Sequence, residues 1–451
     1  MKTILKTLLI FTSFFLSGCS KEWLEEKQDI KLIVPTTLSD LDLLMNTSIF
    51  SYDGRGSMEA SCDDIEITLE QYNSLWYDFD RKLVTWTVDE FPKLDGGYTD
   101  EWDYAYSQVQ SCNVALQSLE KISRTESNGI LYDRIKGTAL YHRSRAFLNL
   151  AMTFCKYYNK ATAETDLGIP LKLDQDINTP IFRSSLGQTY QRIIDDLTIA
   201  ASLLPRNAIS PMHITNAGAY GLLARTYLFM NDYQHALETA EKSLRLYSIL
   251  DDYNTFNPAA SYPLAFNSKE VHIQLQLANP YSSISGLSSQ IPFEIYSLYD
   301  ENDLRKILYF KIVNGKPVWR GDLLSNQLAA TATDEIMLIG AECAARLGDK
   351  DGAVALLNSL LKTRFKTGTF VPLSANTDIE VLDLVLIERR KELLKRGLRF
   401  QDLKRLNKET RYAKALTRIV GENIYTLPPN DKRYVLPIPQ YIINYNGLEQ
   451  N

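Results

Sequence analysis

The feature that most constrains this chain is a pattern of small and aromatic residues that occurs twice at one offset. Tyr220, Leu223, Ala224, Tyr227, Tyr233, Ala236, Ala240 and Ser243 follow the spacing of a tetratricopeptide unit. In such a unit, small residues let two antiparallel helices approach closely and aromatic rings fill the angle between them. Met337, Gly340, Ala341, Ala344, Gly348, Ala353, Leu357 and Leu360 repeat the spacing, with Gly348-Asp349 at the turn between the helices. One pair leaves an apolar face uncovered, so neighbours must stack on it. Apolar residues three and four apart predict helices over 102–122, 133–158, 187–204, 214–247, 333–365 and 379–396. The first two supply a further pair with a weaker small-residue code. In the last, Leu382, Val385, Leu386, Arg389 and Leu393 share one face.

Between these units lie irregular stretches, 48–100, 159–185 and 251–332, rich in Gly, Pro, Asn, Ser and aromatics. Unstructured connections longer than about 12–15 residues are uncommon in compact proteins and are usually functional. Short strands are expected at Leu83–Val88, Glu270–Leu277 and Leu308–Val313, where β-branched or aromatic residues gather. The expected fold is mainly α: a tetratricopeptide-like helical-repeat scaffold with long loop-rich insertions and a few short strands forming a ligand-binding face. Aromatics make up 11% of the chain and many fall in those loops. Trp76, Tyr77, Tyr281 and Trp319 are candidate ligand contacts, because a flat ring stacks on an apolar sugar face or a peptide side chain while a polar neighbour fixes orientation. Asp63 and Asp64, followed by Glu66, join them as polar candidates. Trp86 and Trp102 are read as core.

The first residues form a secretory signal, with Lys2 and Lys6, an apolar run from Leu8 to Phe15, and small residues before a cysteine. The run contains Thr12 and Ser13 and is too short to span a bilayer of ~30 Å, which needs ~20 apolar residues. Leu16-Ser17-Gly18-Cys19 resembles a bacterial lipobox, so residues 1–18 are read as a lipoprotein signal peptide and Cys19 as the lipidated first residue. Its removal leaves 47 basic against 55 acidic side chains, a net charge of −8. Such a chain has no electrostatic footprint for nucleic acid. Residues 19–451 are read as one domain, with helical repeats in 19–250 and the loop-rich insertion, a further repeat and a C-terminal part in 251–451. Cys62, Cys112, Cys155 and Cys343 show no metal spacing and are read as buried thiols, although an oxidising compartment permits a disulfide.

The search for chemistry is mostly negative. His142, His213, His235 and His272 are isolated, and HExxH, phosphate-loop, dinucleotide and nucleophile-elbow motifs are missing. Asp349-Lys350-Asp351-Gly352 lacks the glycine and glutamate placement of a calcium loop and is read as a turn. The Asp63-Asp64 cluster leaves three readings open: a solvated loop, binding to hydroxyls, or the carboxylate pair of a glycosidase. No catalytic residue, metal or cofactor is assigned.

Several ordered segments carry a resemblance. They are Trp102-x2-Ala105-Tyr106 with Asn113, Arg143-x-Arg145-Ala146, Gly168-Ile169-Pro170, the run from Gly221 to Leu228, Asp303-Leu304-Arg305 and the run from Asp334 to Ile339. Later come Glu388-Arg389-Arg390-Lys391-Glu392-Leu393, Gly397-x-Arg399, Asp402-Leu403-Lys404-Arg405, and Tyr434 to Pro439 with Ile443 and Asn446. Over nearly its whole length the chain resembles the SusD/RagB family of outer-membrane nutrient-binding lipoproteins. The charges of these motifs read as scaffold, bridging helix ends to the segments that follow. The sequence departs from the family pattern at Gly340, where an arginine is usual, and at Lys395-Arg396, where an aromatic and an acid are usual; local repacking is expected there.

The resemblance implies a non-catalytic lid on a SusC-like TonB-dependent outer-membrane transporter. Such a lid captures a glycan, or alternatively a peptide, and passes it inward. Glu25 and Glu26 soon after Cys19 resemble the signal that sends such lipoproteins to the outer face. Family ligand residues sit in variable loops, so none transfers by motif. A surface glycoside hydrolase and a purely structural tetratricopeptide adaptor are the rival readings.

Overall fold

The computed structural model describes residues 35–92, 100–264, 268–277, 290–322 and 327–451. The signal peptide, Cys19 and Tyr281 lie outside the described residues. The small-residue patterns become two helix pairs within a longer array: α1 Glu101–Leu119, α2 Gly129–Phe154, α3 Leu186–Leu203, α4 Asn216–Phe229, α5 Tyr233–Leu246, α6 Thr333–Arg346, α7 Lys350–Leu361, α8 Asp378–Glu392 and α9 Arg399–Leu406. Each helix from α1 to α5 packs on the next, α5 packs on α6, and α6 carries both α7 and α8. The chain is therefore mainly α, as the periodicity predicts.

The local reasons are legible at the helix ends. Asp100, Ser185, Thr215, Asp232, Asp349 and Thr377 each accept a bond from a backbone N–H in the first turn of α1, α3, α4, α5, α7 and α8. These caps satisfy donors that a helix start otherwise leaves unpaired. The two repeat turns match: Asn231 and Gly348 both take positive φ, and each is followed by the capping aspartate. Close approach explains the small residues. A Cβ on Gly221 would sit 2.6 Å from Ile336 Cδ1, and one on Gly340 would sit 3.0 Å from Leu356 Cδ1. The expected repacking at Gly340 is thus a direct contact between α6 and α7.

Four two-stranded sheets lie among the described residues. Tyr52–Asp53 pairs in parallel with Gln276–Leu277, and antiparallel pairs join Leu167–Pro170 to Arg183–Ser185, Phe310–Val313 to Lys316–Trp319, and Leu416–Val420 to Asn423–Leu427. Two strand expectations shrink: only Gln276–Leu277 remains of the first, and the second begins at Phe310 because Arg305–Tyr309 forms a helical turn. The strand expected at Leu83–Val88 is corrected. Asp78–Thr85 is a helix that stops at Trp86, which takes a left-handed conformation with φ 56°. Asp78 and Asp80 favour the positive N-terminal end of that helix, and this local preference outweighs the β-branched Val84 and Thr85. The stretch 48–100 also holds short helices at Gly56–Ser61 and Leu69–Ser74.

One large core runs through the helical array, and a separate aromatic cluster fills the 251–332 insertion. Trp86 and Trp102 are both core, and the four cysteines after Cys19 are buried and free. No helix among the described residues is long and apolar enough to cross a membrane.

Candidate functional site

The motif charges form a buried seam where α6, α8 and α9 meet. Arg225 grips Glu335 through two bonds of 2.7 and 2.6 Å. Arg305 bonds Asp303, Glu388 and Glu392 at 2.7–2.8 Å, Arg389 bonds Asp402, and Arg405 holds Glu342. Burial would raise the carboxyls of Glu335 and Glu342, but Arg225 and Arg405 outweigh it and hold each down to about 2. The departures from the family pattern join this seam. Arg396 bonds Asp334 at 2.6 Å, and the buried Lys395 ammonium lies 3.6 Å from Glu59. In this chain both side chains are buried in ion pairs.

Asp63 is where the seam reaches the loops. Its carboxylate bonds Arg399 at 2.7 Å and Arg390 and Lys414 at 3.0 Å, while Arg390 also reaches Asp64 at 3.2 Å. Burial acts to raise Asp63, yet Arg399, Arg390 and Lys414 hold it well below the usual carboxylate range. Burial pushes Asp64 up to about 6, with Arg390 opposing and the Asp63 charge adding. Neither residue stands free in a solvated loop; both fasten 62–66 to the frame. From that anchor the chain runs through Glu66, bridged to Gln290, which in turn bridges to Val318. It then reaches Trp76 and Tyr77. Trp76 is 81% exposed and Tyr77 is also open to solvent. Phe293, Leu69, Ile419 and Ile424 are exposed as well, and Glu294 beside Phe293 faces Lys414 and Arg390. Exposed rings and aliphatic side chains thus occur in this region together with charges that are paired.

Trp319 is placed differently from the expectation of an open loop. It is 4% exposed, ends the strand Lys316–Trp319, packs against Tyr309 at 5.1 Å, and donates its Nε1–H to Asp322 at 2.6 Å. Its indole lines an internal cavity of about 60 Å³ that also meets Tyr253, Glu270, Asp334 and Glu392. The structure therefore leaves Trp76 and Tyr77 exposed, while Asp63 is mostly covered by its partners and Asp64 and Trp319 are buried.

Comparison with known proteins agrees with this architecture. A family model described as "Starch-binding associating with outer membrane" matches residues 22–228, and one described as "SusD family" matches residues 333–451. The chain belongs to the SusD/RagB family. Among solved structures, a putative sugar binding protein from Bacteroides vulgatus aligns at 22% identity and TM-score 0.72, covering 93% of this chain and 99% of its own. A SusD superfamily protein from Bacteroides thetaiotaomicron aligns at 22% identity and TM-score 0.72, covering 92% and 99%. A SusD-like carbohydrate binding protein from Bacteroides vulgatus aligns at 21% and 0.68, covering 91% and 97%. No curated protein matches the chain. At these identities the solved structures establish the fold.

In this SusD-family protein a second concave surface escaped the sequence reading. A groove of about 1780 Å³ is lined by Tyr157, Tyr158, Tyr233, Lys404, Lys408 and Tyr434 among others. Lys408 lies over the Tyr157 ring at 5.6 Å. Lys404 donates to the carbonyls of Met152 and Cys155, and burial pushes its ammonium down to about 8. The sequence reading carried α2 on through residue 158, but the helix stops at Phe154 with Cys155 extended. The aromatic pair beside Asn159 was the available signal.

Proposed function

We propose that this chain is the surface binding subunit of an outer-membrane glycan importer: it holds an oligosaccharide on its loop-built face and delivers it to a TonB-dependent transporter. The observation that carries this reading is the outward pair Trp76 and Tyr77 on a loop braced by Asp63. Adjacent exposed aromatics offer a flat apolar surface, and a sugar ring presents a matching apolar face. The description of the matched family model, and the sugar- and carbohydrate-binding titles of the similar structures, point the same way. A hydrolase is disfavoured because the carboxylates that would serve it are turned inward and engaged by Arg390, Arg399 and Lys414.

Cys19 completes the role by fixing the chain to the membrane. A single acyl chain binds only marginally, so the several chains of a lipoprotein give a durable tether. Peptide binding in the same transport role is the second reading, supported by the exposed cross-strand pair Ile419 and Ile424. Calorimetric titration of the purified mature chain against neutral oligosaccharides and against oligopeptides tests the substrate class. Saturable heat with a glycan is expected. Heat only with peptides overturns the glycan assignment, and turnover of labelled oligosaccharide by the pure protein overturns the non-catalytic one.

A further inference from the structure

The tyrosine-lined groove of about 1780 Å³ has no part in the role assigned so far, and its charges do not balance. Four of its acidic side chains are engaged nearby: Asp89 by Lys82, Asp166 by Lys156, Asp431 by Arg433, and Asp232 by His235. Five cations of the wall, Lys160, Arg183, Lys404, Lys408 and Lys432, form no ion pair among the described residues. The remaining acidic side chain is Glu449, beside Arg183. These cations come from four segments: Lys404 and Lys408 stand one turn apart on α9, Lys160 follows α2, Arg183 opens the strand Arg183–Ser185, and Lys432 lies in the turn Lys432–Tyr434. Lys404 is 6% exposed, and its ammonium is bonded to the carbonyls of Met152 and Cys155, which carry no full charge to offset it. In a chain whose mature net charge is −8, an excess of positive charge within one concave surface is a local exception, and a cleft concentrates the field of the charges that line it.

The neutral part of the wall indicates what kind of anion fits. Tyr157, Tyr158 and Tyr233 are half-buried, so each ring is held by the protein and still partly open. The same wall carries hydroxyl and amide side chains, among them Asn159, Thr162, Thr165 and Gln234. Held rings offer stacking surfaces, and hydroxyl and amide groups suit a polyhydroxylated ligand. The groove exceeds the roughly 300–1,000 Å³ of a pocket for one small molecule, and cations spread over four segments suit charge repeated along a chain better than a single anion. We propose that this groove binds an acidic oligosaccharide, one with a carboxylate or sulfate on its repeating unit. Lys160, Lys408 and Lys432 face the anionic groups, and Tyr157 and Tyr158 stack on the sugar rings. Trp76 and Tyr77 are not among the lining residues, so the site stands whether or not they bind a glycan.

The experiment is calorimetric titration of the mature chain, at low ionic strength, with a galacturonate oligomer, a sulfated oligosaccharide and oligoglutamate. Saturable binding of at least one acidic saccharide is expected, weakening as salt is added because exposed ion pairs are screened. Which of the two binds tells a carboxylate ligand from a sulfate one. Lys160→Gln combined with Lys408→Gln should lower that affinity by about tenfold while the unfolding midpoint stays unchanged, since both side chains are exposed. Absence of saturable binding by either saccharide overturns the proposal, and so does an affinity unchanged in the double variant. Oligoglutamate binding as tightly as the saccharides also overturns it, because the groove would then take acidic peptide as readily as sugar. A loss of equal size in Trp76→Ala would place the acidic sugar at Trp76 and overturn the groove assignment.

Discussion

The seam between α6, α8 and α9 and the face that carries Trp76 draw on similar charged and aromatic side chains under opposite solvation. In the seam, Arg225, Arg305, Arg364 and Arg405 are almost wholly buried and each is bonded to at least one carboxylate. On the face, Trp76 and Phe293 point into solvent with charges such as Glu294 beside them. Trp319 and Trp76 make the contrast within one residue type: the first is enclosed with its N–H satisfied by Asp322, the second is four-fifths exposed. A charge motif paired in the interior therefore marks the frame, and the exposed ring marks the part free to meet another molecule. Burial and partner count separate the two roles where residue type does not.

The sharpest way to break the seam is to remove one member of a buried pair. Arg225→Ala leaves the Glu335 carboxylate in the interior with no close partner, only Arg396 at 4.0 Å and the more distant charge of Arg389 offsetting it. Loss of one partner of a buried ion pair costs about 3–5 kcal/mol, so urea unfolding should show a lower midpoint and an unfolding free energy reduced by that order. Arg225→Met combined with Glu335→Leu should recover most of the loss, since an apolar pair of similar volume removes the stranded charge. If the single variant unfolds at the native midpoint, the seam does not act as argued. Trp319→Ala comes next. Emptying a packed tryptophan site costs about 3–5 kcal/mol, and part of that is expected to be recovered if the cavity beside it admits water.

A smaller and more diffuse effect follows from protonation. Glu335 and Glu342 titrate at about 2 in the fold against an ordinary 4.5, so their contribution is complete above about pH 4.5 and is lost as pH falls toward 2. Glu101 has the opposite sign. Burial lifts it to about 7, against the bonds from Ser57, so the fold holds a proton that the unfolded chain releases, and stability declines as pH rises from about 4.5 to 7. Asp64, lifted to about 6, adds to that decline. Urea midpoints taken from pH 3 to pH 8 at constant ionic strength should therefore peak near pH 4.5–5, with each group contributing on the order of 2 kcal/mol. A steady rise from pH 5 to pH 7 contradicts the assignment of Glu101.

How far the sequence could be read depended on the range of the interactions. The helix pairs were legible because Ala224, Ala236, Ala341 and Ala353 act through neighbours a few residues away and repeat at one offset. The SusD-type motifs were legible as scaffold for the same reason, since Asp303 and Arg305, or Asp402 and Arg405, pair locally. Asp63 and Asp64 stayed open between a solvated loop, a hydroxyl-binding pair and a glycosidase pair because their partners, Arg390 and Arg399, lie more than 300 residues away and nothing near them announces burial. Trp319 looked like a loop aromatic because the rings packed on it, Tyr309 and Phe310, belong to the same irregular stretch, where no periodicity shows which side is inside. The groove beside Lys404 was invisible for both reasons at once.

The smallest change to the fold is expected from the residue placed closest to the function. Trp76→Ala removes a ring that touches little of the protein, so its effect on stability should fall within about 0.5 kcal/mol, as for surface substitutions generally. Its effect on binding should be larger. A stacked aromatic contact is worth about 0.5–1.5 kcal/mol beyond the area it covers, so affinity for the glycan should drop by roughly tenfold with the unfolding midpoint unchanged. Tyr77→Ala should act in the same direction and less strongly, since part of that ring is already covered. An equal loss of stability and affinity in Trp76→Ala would mean that the loop is part of the frame after all, and the division between seam and face would then have to be drawn elsewhere. Intact affinity would move the ligand off this face, toward the tyrosine-lined groove beside Lys404.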